Sequence, residues 1–404
     1  MYNKLRRYFK IFFFSNYVYK IPKPKKVLIY DSNTSTKKIF SYYLKSTDTN
    51  YLYVRGEVLN LPVFFLSLFS FDFFQFKKNY IKTYIKFVNP KIVLTCTDND
   101  MVFYTLKKYF KKKNIKINFI VMQNGLRGIY DNFQEFYDYK KKTKTKLEVD
   151  FFFTINSEIK KKYQKYIKSK FIHLGLLSNN LIKKQKIKKK QILFISQFKN
   201  KIYKGKFELN KIKKIKGNVF YKADEIVLKY LLDYTEKNKE YKLVVCLRPN
   251  SNFIAQKKLI LDILKTNKKI NFFISKKEFD TYREVDKSTY VICVDSALGY
   301  EAYARGCVVG FFSIRGQYIN SRGTNFAWPA KLQKKNFWSD KYSTENFNKV
   351  MEYICKKKKD YNLYRLKNRS KIMEYNMGNS KFVELLRLLK APLKSNIIKN
   401  FQIN

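Results

Sequence analysis

One histidine in 404 residues leaves little room for histidine chemistry. His173 stands alone, so neither a His-based metal site nor a Ser-His triad is expected. The five cysteines (96, 246, 293, 307 and 355) form no CxxC pair and no metal-ligand cluster. Several fall inside apolar runs, where a free thiol is a small apolar filler, and a reducing cytoplasm fits them. Acidic residues are few, 31 against 85 basic ones. No apolar run reaches the roughly 20 residues that span a bilayer. The strongest, LPVFFLSLFSFDFF (61–74), carries Asp72 and reads as a core or domain-interface helix, or as one that dips into a membrane surface. The N-terminus, MYNKLRRYFKIFFFSNYVYK, begins like a signal peptide, but its apolar centre of about four residues falls short of the roughly 7–15 such peptides need. There is no P-loop, no GxGxxG after a strand and no GxSxG, so ATPase, Rossmann oxidoreductase and lipase readings lack support.

What remains is a chain able to bury a large core. Apolar residues make up 45% and aromatics 18%, and the length suggests two domains. The formal charge is +54, mostly from lysine spread end to end in runs such as KKYFKKK (107–113) and KKQKIKKK (183–190). Lys, Asn, Ile, Tyr and Phe share AT-rich codons, so base composition suffices as a cause, and each run reads as a solvated face. The even spread argues against a nucleic-acid-binding protein, the reading from another functional class. The charge favours anionic partners: nucleotide phosphates, acidic glycans, phospholipid surfaces. Where arginine persists among so much lysine, its planar fork is a candidate requirement. Arg248, Arg305, Arg315 and Arg322 cluster in the second half.

Apolar β-type runs alternate with helical patterns. KKVLIYDSN (25–33), YLYVRG (51–56), KIVLTCTDND (91–100), INFIVMQNG (117–125), FFFTIN (151–156) and KFIHLG (170–175) read as strands of the first half. QILFISQF (191–198), YKLVVCLRPN (241–250), INFFIS (270–275), YVICVDS (290–296) and CVVGFF (307–312) follow, with helices near 222–238 and 253–266. This alternation predicts an α/β fold of two doubly wound, Rossmann-like domains facing a cleft. The expected divisions are a basic N-terminal segment (1–24), a first domain (25–180), a linker (181–190), a second domain (191–343) and C-terminal helices (344–404).

Ligands of open parallel sheets lie outside the carboxyl ends of the strands. Only 12 glycines are present, and VICVDSALGYEAYARGCVVGFF (291–312) spends three of them. Asp295 and Ser296 end its strand, and the helix from about Tyr300 offers free N–H groups to an anion. Gly299 is expected to let a ligand approach, Glu301 to accept ribose hydroxyls, and Gly306 to stop the helix in a left-handed conformation. Arg248 and Asn250 end another strand; the guanidinium suits a phosphate or carboxylate, or an interface ion pair. Gln123, Asn124 and Gly125, with Arg127, would face the same cleft from the first half. Asp98 and Asp100 could ligate a divalent metal, but capping the helix at Met101 is the favoured reading. Asp224 and Glu225 read as a capped helix start. Trp328 in NFAWP either stacks on a base or sugar or belongs to a core loop.

ILFISQF, VVCLRPN, VDSALGYEAYARG, NFAWP and FWSD, in that order, resemble bacterial surface-carbohydrate (capsule and lipopolysaccharide) biosynthesis proteins of the two-domain GT-B glycosyltransferase type. YDSN, TDND and QNGLRG carry a weaker likeness in the first half, and related capsule enzymes often have histidine where Asn124 stands. The resemblance implies a cytoplasmic enzyme, peripheral at the inner membrane, that moves a sugar from a nucleotide-sugar donor to a growing surface glycan or lipid-linked acceptor. It implies no cofactor and no bound metal. Asp295, Ser296, Gly299, Tyr300 and Glu301 would hold the donor's phosphates and ribose, aided by Arg248 and Asn250. An inverting reaction would need a general base from the first half, with Asp100, Asp98 and, less favoured, Glu57 as candidates; inverting and retaining both stay open. A nucleotide-linked sugar epimerase or phosphopolyol transferase of the same fold is the alternative.

Overall fold

The computed structural model describes residues 13–397, except 32, 70–75, 129–132, 186–188, 209–213, 250–251, 267–269 and 278. Two six-stranded sheets, wholly parallel, organise it. The first contains β1 (Val27–Tyr30), β2 (Thr49–Leu52), β3 (Ile92–Thr95), β4 (Asn118–Met122), β5 (Leu147–Thr154) and β6 (Ile167–His173), in spatial order 2-1-3-4-5-6. The second contains β7 (Lys189–Ile195), β8 (Lys242–Cys246), β9 (Asn271–Phe273), β10 (Ser288–Cys293), β11 (Val309–Phe312) and β12 (Trp338–Ser339), in order 9-8-7-10-11-12. That is the classic doubly wound order, whose connections diverge between β7 and β10.

The strand sequences explain their burial. VLIY, IVLT and VGFF are uninterrupted apolar runs, buried at every position, as strands covered on both faces require. Gly310 belongs to this packing. A Cβ there would meet Ile292 Cδ1 at 2.9 Å and Val350 and Ile354 at 3.3 Å, so the glycine lets helix Thr344–Lys356 lie close on β11. Gly306 has φ +85 and ends helix Ala297–Ala304, as expected.

The structure departs from the sequence reading in several places. Two short strand pairs were not anticipated: Asn16–Val18 with Val58–Asn60, and Lys206–Glu208 with Lys214–Lys216. The C-terminal helices divide between the halves. Val350 and Ile354 pack on the second sheet, while Phe382, Val383 and Leu386 of helix Ser380–Leu388 join Val27, Ile29 and Phe40 under the first. Leu61–Leu68 is a helix, but it buries only Val63 and Ser67, so this described part of the run is not a core helix. Residues 70–75 of that run lie outside the described residues. No described helix is long and apolar enough to cross a membrane.

Candidate functional site

The crevice of the second sheet lies outside β7 and β10, and Asp295 ends there. Its carboxylate accepts from Arg315 Nε (2.8 Å) and Nη2 (3.0 Å). Arg315 also donates to Asp224 (2.8 Å), to Gln197 Oε1 (2.7 Å) and to the Phe220 carbonyl, and its guanidinium lies 4.3 Å from the Phe220 ring centroid. Arg315 and Asp224 are fully buried. One guanidinium therefore ties the ends of β7 and β10 to the start of helix Lys222–Lys237. This corrects the reading of Asp224 as a helix cap: the helix has no side-chain cap bond, and the carboxylate is an ion-pair partner. Burial raises the Asp224 carboxyl to about 6, with Arg315 opposing and Asp295 reinforcing the shift.

Helix Ala297–Ala304 follows with Ser296 at its N-cap, half-exposed and making no side-chain cap bond. Gly299 is buried against the sheet. An added Cβ would strike Cys293 Sγ and come within 3.5 Å of Phe311, so the glycine serves helix-on-strand packing rather than ligand approach, a correction to its expected role. Glu301 is also turned inward. It is buried and accepts from the Tyr282 hydroxyl, which in turn bonds Ser178 Oγ at 2.9 Å. Its carboxylate is therefore held in packing and does not line the cleft, where the expected contact with ribose would need it. Tyr300 does reach the cleft, and its hydroxyl accepts from the Ala327 N–H at 2.9 Å. That bond holds Ala327 at φ +57, a left-handed conformation that costs a non-glycine residue roughly 1–2 kcal/mol.

Burial lifts the Glu301 carboxyl to about 7, against opposing effects from Tyr282 and Arg305. The folded state then binds more protons than the unfolded chain between about pH 4 and 7, so stability falls as pH rises through that window. Glu301→Gln is expected to flatten the pH 6–8 part of this dependence and to stabilise the chain at pH 8 by on the order of 1–3 kcal/mol. Urea denaturation at pH 6 and pH 8 measures both effects.

The first half brings three carboxylates to the ends of β1 and β3. Asp31 pairs bidentately with Arg55 (Nε–Oδ1, 3.0 Å). Asp98 is fully buried and accepts from Arg127 Nε (3.0 Å) and Nη2 and from the Tyr163 hydroxyl. Asp100 caps helix Met101–Lys112 through the Val102 N–H (2.9 Å) and accepts from Tyr30 OH (2.8 Å), with Lys77 at 3.7 Å. The expected cap is therefore Asp100 alone. Gln123 is buried in backbone bonds to Gly125 and Ile155, Asn124 is exposed, and Gly125 has φ +145, accessible to glycine.

A small cleft lies between the halves. Leu126, Arg127 and Asn156 line it from the first half, Asp295 and Tyr300 from the second, and residues 323–325, 327, 328 and 372 complete the wall. Of the sequence-predicted residues it gathers Arg127, Asp295 and Tyr300. Asp98 reaches it only through Arg127. Arg127's Nη1 has a single long bond, to the Leu126 carbonyl at 3.4 Å, and the guanidinium stays charged because Asp98 and Tyr163 outweigh its burial. The walls touch at Gly128 and Gly323, where a Cβ on either would collide with the other's carbonyl. Trp328 stands beside this contact, 6.5 Å from the Phe133 ring centroid, with Lys162 Nζ 5.6 Å from its own.

Arg248 ends β8, exposed, its backbone clamped by buried Gln256 (N to Oε1, 3.1 Å). Partial burial of the Lys199 ammonium, and then the charge of Arg248, lower it below the usual lysine range. Two cations thus sit at neighbouring strand ends beside the crevice. Lys199 escaped the sequence reading because one more lysine in a lysine-rich chain carries no signal. Asn250 lies outside the described residues, as does the side chain of Arg322. Arg305 is buried against Asp286 (Nε–Oδ1, 2.9 Å) and is structural. Among the described residues, no three of His, Cys, Asp and Glu gather closely enough to hold a metal ion.

Residues 119–390 match the family described as "putative O-antigen biosynthesis protein". The chain belongs to this family. Every cleft-lining residue falls within the matched span, whereas Asp31, Asp98 and Asp100 precede it. Among solved structures, a Listeria monocytogenes protein named for UDP-N-acetylglucosamine 2-epimerase is similar at 13% identity and TM-score 0.50, covering 91% of this chain and 96% of its own. The UDP-GlcNAc 2-epimerase of Neisseria meningitidis, solved with UDP-GlcNAc, is 14% identical (TM-score 0.44; 90% and 99% covered). A Rickettsia africae glycosyltransferase is 13% identical (TM-score 0.46; 90% of each chain). No curated protein matches. The O-antigen family chain thus has the two-domain, GT-B-like architecture that its sequence implied; likeness at this identity speaks of fold, and activity has to be argued from the site.

Proposed function

We propose that this O-antigen family protein is a glycosyltransferase that moves a sugar from a nucleotide-sugar donor to a growing bacterial surface glycan. The observation that carries the reading is the cleft. It opens at the carboxyl ends of both sheets, lies wholly within the family match, and sets Arg127 of one half opposite Asp295 and Tyr300 of the other, which flank the start of helix Ala297–Ala304. The donor's phosphates would lie at the start of helix Ala297–Ala304, with Ser296 as a hydroxyl partner and Lys199 and Arg248 as the flanking cations. Arg127 would face them from the first half. In the transfer, the acceptor hydroxyl oxygen bonds to the anomeric carbon as the bond to the donor phosphate breaks. The nucleotide leaves with that electron pair, and the positive groups stabilise its growing charge without rearranging.

The acceptor hydroxyl must lose a proton, and a carboxylate of the first half would take it. Asp100 is the better placed of the two aspartates, being partly exposed. Asp98 would act as a positioning residue for Arg127, since its oxygens are occupied by that guanidinium and Tyr163.

Product analysis of a nucleotide-sugar panel tests the reading. With a lipid-linked or glycan acceptor present, the expected result is release of nucleotide and a sugar on the acceptor. Inversion of the sugar within an intact nucleotide sugar would identify an epimerase instead. A second expectation concerns the cation pair. Replacing Arg248 and Lys199 together by Ala is expected to weaken donor binding by at least about a hundredfold in calorimetry, because each charge-assisted hydrogen bond contributes about 1.5–3 kcal/mol and two are lost.

A further inference from the structure

Helix Leu61–Leu68 turns a row of large apolar side chains to solvent. Phe65 is 53% exposed, Leu66 46% and the C-cap residue Phe69 75%. Tyr19 (73%) and Ile21 (53%) lie alongside, because Asn60 both caps the helix through the Val63 N–H (3.1 Å) and donates to the Lys20 carbonyl (2.8 Å). No charged residue occurs between Val58 and Phe69, and Lys20 and Lys23 flank the face, both exposed. The following helix, Phe76–Val88, packs on it through Phe64 and Phe76 (5.1 Å between centroids) and adds Lys77 and Lys78. Strand Val58–Asn60 and helix Leu61–Leu68 carry no carboxylate of their own, and Glu57 precedes the strand.

We propose that this face docks on an anionic phospholipid surface. An apolar row with a cationic border fits acyl chains beneath negative headgroups. The helix is about 12 Å long at 1.5 Å per residue, so it lies in the interface and does not cross it. Charge decides against a second copy as the occupant, since two chains of +54 repel one another while an anionic bilayer attracts both. The position gives the docking a use. Lys77, on the helix beside the face, reaches to 3.7 Å from Asp100 at the end of β3, so a membrane under this face would lie next to the carboxylate edge of the first sheet. A lipid-linked acceptor would arrive there. Only that use rests on the sugar-transfer reading; the docking does not.

The test is co-sedimentation of the full chain with vesicles of phosphatidylcholine alone and with added phosphatidylglycerol, in the absence of any donor. Binding is expected only with the anionic lipid. Phe65→Ser, Leu66→Ser and Phe69→Ser together should reduce it by at least about tenfold at unchanged charge. Circular dichroism and nucleotide affinity should stay as in the wild type; if the triple variant fails to fold, Phe69→Ser alone is used, with a smaller loss expected. Equal binding by variant and parent would assign the attraction to lysines elsewhere and overturn the proposal. So would failure of the parent to bind, or a dimer in analytical ultracentrifugation that the triple variant converts to monomer. Transfer activity toward a soluble acceptor should survive the triple change, so failed docking and failed sugar transfer are told apart.

Discussion

Arg315→Met should be among the most destabilising single changes in the chain, costing about 3–5 kcal/mol at pH 8 in urea denaturation. The guanidinium is fully buried between Asp295 and Asp224 and also donates to Gln197 and the Phe220 carbonyl. Removing it leaves two carboxylates in a low-dielectric site without their cation. The loss should shrink at pH 5. Asp224 already titrates near 6 through burial, and losing Arg315 moves it higher. The folded variant then takes up protons that the unfolded chain, with carboxyls near 4, does not, so acid stabilises it. Arg315→Lys should be intermediate, since an ammonium keeps the charge and loses the fork. A Met variant within 1 kcal/mol of wild type at pH 8 would contradict this account of the crevice floor.

Arg127→Ala should have the largest effect on turnover, lowering it about 10²–10³-fold if the cleft cation meets the leaving group's charge. Asp98→Asn should lower turnover in the same direction, because the amide no longer holds the guanidinium. The two changes combined should cost little more than Arg127→Ala alone, the behaviour of residues acting as one unit. Additive losses would instead give Asp98 a role of its own, including the base. Asp100→Asn provides the contrast. It keeps a side-chain oxygen as a helix cap, so stability should change by under about 1 kcal/mol, while turnover falls if Asp100 takes the proton.

The sheets were legible in the sequence because buried parallel strands read as short apolar runs, and VLIY, IVLT and VGFF are such runs. The strand ends were legible for the same reason, which is how Asp295, Tyr300 and Arg127 came to be singled out. What stayed hidden is which way side chains point and whom they meet. Helix Ala297–Ala304 is so short and so apolar that its periodicity does not mark the sheet-facing side. Gly299 and Glu301 accordingly looked like ligand contacts and are packing and buried polar residues. The pairings that build the cleft are long-range: Asp98 with Arg127 lies 29 residues apart, and Asp224 with Arg315 lies 91. No local pattern announces either. Persistence of arginine was a usable signal, and it marked buried ion pairs: Arg305 and Arg315 both serve structure.

The central claim is that a nucleotide sugar's phosphates bind where β7, β8 and β10 end. A structure of the full chain with a nucleoside diphosphate tests it most directly. The prediction is phosphate oxygens within hydrogen-bond reach of the N–H groups at the start of helix Ala297–Ala304, with Arg248 or Lys199 on the same group. A nucleotide seated in the first half, or elsewhere on the lysine-rich surface with that helix start empty, would contradict it.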